Sequence, residues 1–445
     1  MKAKAMQAIC KKMLKWTSAP TAEVRIHSFR QGLTRFADNS ITQNVQELTD
    51  GVTFTARFGN RIGSASSTSV DDASLKRVVS EAERVARAVN PDKDLLPFLG
   101  MKKYKKMLGF VRKTADTGPD FRARQVGKVI KAAKAKRLTT AGIYSNSVAR
   151  IAIANTAGLF VTHANSNAST SITMMTKDSA GWASDGHRDI DKIPIKNVID
   201  TAIDKALKSH KPKAIKPGKY TVILEPDAVS NLLLFLAWGG LNGLALYEKR
   251  SCFSGMQNKL VVNPKITLTD DAYHPLQNGM PFDWEGMPRQ AVTLIEKGRF
   301  IDGVYDRGTA KKAKKKPTGH GQPQPNTWGA FPGNMVVEPG DATLDEMIAS
   351  LDRGILVTQF HYTNIINPKK LDITGMTRSG TFWVEKGKIK YPIKNMRFTQ
   401  GVPLALRNVR MVGKDLKNAS SLFGGGFVVP PLMIKDFTFS SGTDF

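Results

Sequence analysis

Residues 217–255 constrain this chain most, because they set a strand, a helix start and the longest apolar run of the sequence side by side. Pro217-Gly218 is a turn signal, and the β-branched run at 220–224 reads as a strand. Pro226 suits a first helical turn, where its missing N–H costs nothing, and Asp227 suits the positive helix end. Val229, Leu232, Leu233 and Leu236 then repeat at helical spacing. Leu234, Phe235 and Trp238 occupy the other faces, and a helix apolar nearly all round is buried. Gly239-Gly240 ends it or lets another backbone come close. From Ala228 to Leu246 there is no His, Cys or carboxylate. A hydrolase core organised on this helix would have a bare working face.

The chain has 445 residues, which predicts two or three domains with real cores. Its only cysteines, Cys10 and Cys252, exclude a disulfide framework and a Cys-rich zinc site, and suit a reducing cytoplasm. The first twenty residues are basic but lack the apolar run of a signal peptide, and the run at 232–238 is far short of the ~20 residues of a membrane helix. Met6, Ile9, Met13 and Trp16 share one helical face opposite lysines. That pattern fits a membrane-surface helix, but more often a helix packed on a sheet, which is the expectation here. The formal net charge of +28 favours acidic partners. The lysines are spread along the whole chain, however, and aromatic residues do not interleave with them as in a single-strand binder. The expectation is a solvated lysine-rich surface without nucleic-acid binding.

In chain order, 23–29 alternates like a strand, and 33–36 with 41–45 reads as a hairpin around Asp38-Asn39. Asp50-Gly51 is expected to turn into 52–58, and Gly59-Asn60 into 62–66, giving an antiparallel meander. A helix begins at Asp71-Asp72, carries Leu75, Val78, Val79, Ala82, Val85, Ala86 and Val89 on one face, and stops at Asn90-Pro91. A connecting loop over 91–118 and a basic helix over 121–136 follow. A second β run comprises 139–144, 147–155, 159–164 and 169–177. Residues 179–184 read as a small-residue loop, 195–209 as a helix and 212–219 as a Pro/Lys-rich boundary. Beyond Gly255, short strands and turns dominate, apart from a helix at 344–350, and 311–325 reads as a mobile, basic loop. The predicted fold is α+β. An N-terminal domain over 1–215 has an antiparallel sheet with helices, and a mostly β, barrel-like domain over 216–445 surrounds the buried helix.

Several segments, in this order, resemble the TldD/PmbA (TldD/TldE) family, which also carries the old label "modulator of DNA gyrase". They are Asp50-Gly51 through Ser66, Ile151 through Gly158, Gly181-Trp182-Ala183-Ser184, and the strand–Glu225-Pro226–helix stretch. Later ones are Met335 through Asp341, Leu351 through Thr358, Thr374 through Gly387, and Pro430 through Phe437. The resemblance implies two domains, dimers enclosing a cavity, and cytosolic work on peptides. In the TldD branch it implies a zinc peptidase of unstructured polypeptides, whose helix carries HExxxH and whose zinc site a later Cys completes. Such ligands hold zinc and leave one position for the attacking water.

This sequence departs from that pattern at the helix. An ungapped placement through Gly240-Leu241-Asn242-Gly243 puts Leu234, Phe235 and Gly239 where His, Glu and His would stand. The segments 359–364 and 374–378 look closer to the PmbA/TldE branch, which lacks the motif and partners a zinc-bearing TldD. The implied protein is a zinc-less subunit with no cofactor of its own, pairing with such a homologue or with itself around a peptide substrate. His361, Tyr362 and Arg378 are the candidates for the polar part of the peptide cavity. No catalytic residue is assigned. The alternative is a basic protein that binds nucleic acid or acidic polypeptide without a peptidase role.

Other constellations are weaker. Cys252 follows Lys249-Arg250, and nearby positive charge lowers a thiol pKa, yet a free Cys is usually a small buried hydrophobe. His274 lies near Asp270 and Asp271, where ordinary turn chemistry outweighs a metal loop. Gly424-Gly425-Gly426 lacks the Lys-Ser/Thr of a phosphate loop.

Overall fold

The computed structural model describes residues 1–420 and 426–443. Its first helix, α1 (Ala3–Trp16), buries Met6, Cys10 and Met13 against a sheet and a second helix, so its apolar face is spent on packing. Two long strands follow, β1 (Thr21–Ala37) and β2 (Ser40–Phe58). They join at Asp38 and Asn39 with φ of 49° and 58°, the left-handed pair that a two-residue hairpin turn requires. The turn expected at Asp50-Gly51 does not form: Asp50 pairs with Ser28 and Gly51 with His27 inside the same hairpin. Gly51 serves close approach instead, since a Cβ there would lie 2.0 Å from the His27 ring.

Next come β3 (Arg61–Ser67), α2 (Asp72–Ala88), α3 (Arg112–Asp116) and α4 (Pro119–Ala135). The Asp71 side chain caps α2 by accepting the Ser74 N–H at 2.8 Å. Three unbroken strands, β4 (Thr139–Asn155), β5 (Phe160–Met175) and β6 (Ala180–His187), replace the shorter pieces expected from sequence. The small-residue loop expected at 179–184 is largely strand β6, paired to β5. Its residues are small because α5 (Ile195–Lys208) lies directly on it: a Cβ at Gly181 would sit 2.1 Å from the Ala206 nitrogen. The six strands form one antiparallel sheet in the order β3-β2-β1-β4-β5-β6.

The second half starts with β7 (Gly218–Leu224) and α6 (Pro226–Gly239), then α7 (Gly243–Tyr247), β8 (Leu268–Asp270), β9 (Val292–Glu296), β10 (Arg299–Phe300) and α8 (Arg307–Lys312). It continues with β11 (Met335–Val337), α9 (Leu344–Ala349), β12 (Arg353–Asn367), β13 (Asp372–Glu385), β14 (Lys388–Pro392) and β15 (Met396–Gly401). It closes with α10 (Val402–Arg407), β16 (Val409–Val412), β17 (Lys417–Ser420), β18 (Gly426–Val429) and β19 (Leu432–Gly442). One sheet runs β10-β9-β8-β11-β18-β17. The other runs β12-β7-β19-β15-β13-β14, with an added β12–β13 pairing and with β16 on β19. The chain is therefore α+β, with an antiparallel N-terminal sheet and a strand-rich C-terminal half.

Helix α6 lies between the two C-terminal sheets, touching β7 and β12 of one and β17 and β18 of the other. Val229, Leu232, Leu233, Leu234, Phe235 and Leu236 are all buried there. Each contributes roughly 1.5–3 kcal/mol of apolar burial, so this helix anchors the largest core of the protein. Residues 311–325 are not one mobile loop. Lys311 and Lys312 end α8 and are exposed, but Gly319, His320 and Gly321 are buried. His320 Nε2 lies 2.9 Å from Asp270 Oδ1, and the Gly321 N–H donates to Asp283 at 2.7 Å. The glycines there serve tight backbone packing: a Cβ at Gly319 would lie 2.2 Å from the Pro288 carbonyl oxygen. Among the described residues, no helix is long and apolar enough to cross a membrane.

Candidate functional site

Leu234 and Phe235 are buried within the core. At Gly239 the space a side chain would need is taken by Leu371, whose Cδ1 lies 2.3 Å from where a Cβ would stand. The donor set here does not fit zinc. The helix offers carbon where a metal needs imidazole, thiolate or carboxylate, and among the described residues no group of three or more His, Cys, Asp and Glu side chains could hold an ion. Helix α6 is most exposed at its last turn, where Trp238 is 40% exposed. There Trp238 and Gly239, with Asn242, Trp328 and Phe331, line a cavity of about 1340 Å³.

His361 and Arg378 come together in a second cleft, of about 640 Å³, between the N-terminal sheet and the β12–β13 pair. Register shifts in β12 at 357/359 and 361/364 bulge the strand. Tyr362 and Ser379 hold φ of 50° and 52°, left-handed values that cost non-glycine residues strain. Arg378 Nη1 donates to His361 Nε2 at 2.5 Å, so that nitrogen carries no proton and the ring is neutral with its hydrogen on Nδ1. Burial, and next the Arg378 charge, push the His361 pKa down from its ordinary value, in keeping with that tautomer. Tyr362 packs edge-on against His361 at 4.4 Å but is 69% exposed and does not line the cleft. The opposite wall, with Trp182 and Ser209, went unassigned in the sequence. Its only signal was a Trp among small residues at 180–184.

A buried charge network, also missed in the sequence, joins the two halves. On β1, Glu23 and Arg25 lie 3.8 Å apart, and Arg25 Nη2 donates to the Gln324 carbonyl at 2.7 Å. Nearby, Glu285 accepts the Arg307 N–H at 3.0 Å, and the Tyr104 hydroxyl donates to the Gly286 carbonyl at 2.7 Å. Burial raises Glu23 to about 7. Burial, and next the Asp283 charge, raise Glu285 to about 8. The parts of this network lie far apart in sequence, and composition cannot bring them together.

The remaining sequence candidates resolve as structural. Burial pushes the Cys252 thiol up to about 12, the reverse of an activated nucleophile, and Arg250 is engaged by Glu248 at 2.7 Å. His274 Nδ1 accepts the Leu276 N–H at 3.2 Å and Asp271 accepts the Tyr273 N–H at 2.9 Å, which is turn chemistry. Gly424 and Gly425 lie outside the described residues, and Gly426 opens β18.

Comparison with known proteins places this architecture. Residues 217–441 match the PmbA/TldA metallopeptidase C-terminal domain, residues 22–86 its domain 1 and residues 112–209 its central domain. The chain belongs to the PmbA/TldD family. Among its PmbA/TldD relatives, the metalloprotease PmbA of Escherichia coli O157:H7 is 24% identical over 88% of this chain and 87% of its own length. A metalloprotease TldD homolog of Buchnera aphidicola subsp. Schizaphis graminum is 30% identical over 45% of this chain and 42% of its own. The crystal structure of TldE from Thermococcus kodakarensis superposes with a TM-score of 0.87 at 21% identity, covering 98% of this chain and 100% of that one. That likeness establishes a shared PmbA/TldD fold.

Proposed function

We propose that this chain is a zinc-less, TldE-like subunit of a cytoplasmic peptidase that cleaves unstructured peptides. It pairs with a zinc-bearing TldD-like homologue, or with itself, and works as two domains over 1–215 and 216–445. The observation that carries this reading is α6: the helix is intact and anchors the core, yet from Ala228 to Leu246 it and its continuation offer no His, Cys or carboxylate, and the resemblance sets Leu234, Phe235 and Gly239 against the zinc motif. A protein that keeps the architecture and lacks the donors can shape a peptide chamber without cutting. Support comes from the PmbA relative, which aligns over most of both chains. His361 and Arg378 supply polar groups to one wall of that chamber, with Tyr362 at its rim. An extended peptide there can pair its backbone with strand edges while its side chains meet pockets.

The test mixes this chain with a zinc-bearing TldD-like partner and an unfolded polypeptide. Cleavage is expected only from the mixture, with loss when the partner's HExxxH is mutated and little effect of Cys252→Ala here. Robust cleavage by this chain alone, insensitive to chelator, would overturn the proposal. The net charge of +28 favours the second reading, a binder of nucleic acid or acidic polypeptide. Salt separates the two: nucleic-acid binding weakens log-linearly with salt, whereas assembly through a large apolar interface does not.

A further inference from the structure

We propose that the cleft between β6 and the β12–β13 pair holds the free C-terminal carboxylate of an extended peptide with an apolar last residue. This rests on the reading of the chain as a peptide-holding subunit and names the end of the peptide it grips. The cleft's volume of about 640 Å³ is that of a small-ligand site.

Two buried hydroxyls make the first argument. Ser209 Oγ and Thr381 Oγ1 both line the cleft, on opposite walls, and neither has a hydrogen-bond partner within the protein. Their residues are 7% and 3% exposed. Leaving a buried hydroxyl unpaired is costly, and in folded proteins such groups are rare outside functional sites. Both oxygens are themselves covered in this structure, so a ligand oxygen in the cleft accepts from either only once that side chain turns toward it.

Charge makes the second. Among the described residues that line the cleft, the one carboxylate is Asp178, and it is already engaged. It accepts from His210 Nδ1 at 2.7 Å, from the Lys211 N–H at 3.0 Å and from the Thr176 hydroxyl at 3.0 Å. Arg378 lines the same cleft with one N–H spent on His361, which leaves guanidinium donors for a planar anion. A carboxylate matches that fork with two parallel bonds, and a lysine could not reproduce the geometry. The neutral His361 ring adds no competing charge and fixes the guanidinium. Met175, Trp182 and Met376 give the lining an apolar part for the side chain of a last residue, beside polar groups that include Lys394 and Gln359. The left-handed backbone at Tyr362 and Ser379, on the two strands that carry His361 and Arg378, is the kind of stored strain found around ligand sites.

The experiment uses the full chain alone, with no partner and no cleavage readout. A fluorescently labelled, unstructured pentapeptide ending in leucine is compared with its C-terminal amide, and with an amide carrying an internal glutamate. The free carboxylate is expected to bind about tenfold tighter than the amide, the size of one charge-assisted contact. Arg378→Gln should abolish that preference, Arg378→Lys should restore it only in part, and Thr381→Val should weaken it several-fold without lowering the melting midpoint, since it removes an unpaired buried hydroxyl. Equal binding of acid and amide would overturn the carboxylate assignment while leaving the peptide-subunit reading intact. So would a preference for the internal glutamate. Absence of binding by all three peptides, with a folded chain, would sink both.

Discussion

His320 Nε2 lies 2.9 Å from Asp270 Oδ1, and neither side chain has any exposed surface. Burial by itself raises the Asp270 pKa. The charge and hydrogen bond of His320, with Arg289 next, outweigh it and hold the carboxyl below its ordinary value. The pair joins β8 to a segment that would otherwise have no strand or helix to hold it in the core. His320→Ala leaves the carboxylate buried with its main partner gone, and removing one member of a buried pair costs roughly 3–5 kcal/mol. Urea unfolding should show a loss of that order. His210→Ala, at an exposed ion pair, is the control and should change little. A loss under about 1 kcal/mol for His320→Ala, the level of an exposed pair, would show that the contact is incidental.

Stability is expected to fall as pH rises from 6.5 to about 8.5. Glu23 and Glu285 have folded-state pKa values of about 7 and about 8 against an ordinary 4.5. The folded chain therefore holds protons that the unfolded chain has released. The stabilisation is complete below the ordinary carboxylate range and is lost as pH climbs through the folded values. Melting curves across that interval should show a falling midpoint, and Glu285→Gln should flatten the fall. His163, whose pKa burial lowers, acts in the opposite sense and on the acid side of this interval. A midpoint that rises from pH 6.5 to 8.5 would contradict the assigned burial of these carboxyls.

Local signals carried much of the fold. The Asp38-Asn39 hairpin, the Asp71 cap and the apolar α6 follow from residues within one or two turns of each other, and all three form. Misreadings arose where a residue answers to a distant neighbour. Gly51 is small because the His27 ring lies across from it, and Gly181 because α5 lies on it, so neither marks a turn or loop. The same distinction governs the site. The missing donors on α6 are a local fact and legible. The cleft that joins His361 and Arg378 to Ser209 and Thr381 needs strands β6, β12 and β13 in place, which no periodicity encodes.

The lysines at Lys311, Lys312, Lys314, Lys315 and Lys316 should be dispensable for folding. All five are exposed. Lys312 meets Asp94 at 3.1 Å and Lys315 meets Asp302 at 2.7 Å, both as surface pairs screened by water and salt. Replacing the five with Ser should leave the melting midpoint nearly unchanged, because the buried anchor of this segment is His320, not its charge. Loss of dimerisation or of a cellular partner in that variant would make the run a binding surface.

The purified chain should hold no stoichiometric zinc, and Gly239 gives the reason its physical form. Leu371 is fully buried, at φ of 52°, with its Cδ1 2.3 Å from where a Gly239 side chain would begin. Any residue larger than glycine must displace it, and overpacking of this kind costs roughly 1–3 kcal/mol. Gly239→Ala should therefore destabilise the protein, and Leu371→Ala should relieve part of that loss when the two are combined. A double-mutant cycle reads the coupling directly. Placing histidines at 234 and 239 with glutamate at 235 should fail to recruit the metal, since two of those positions are core and the third is plugged. Elemental analysis after dialysis that found about one zinc per unmodified chain would overturn this account, because a structural or catalytic zinc needs three or four protein donors. So would additive effects of Gly239→Ala and Leu371→Ala, which would mean that the two residues do not compete for the same space.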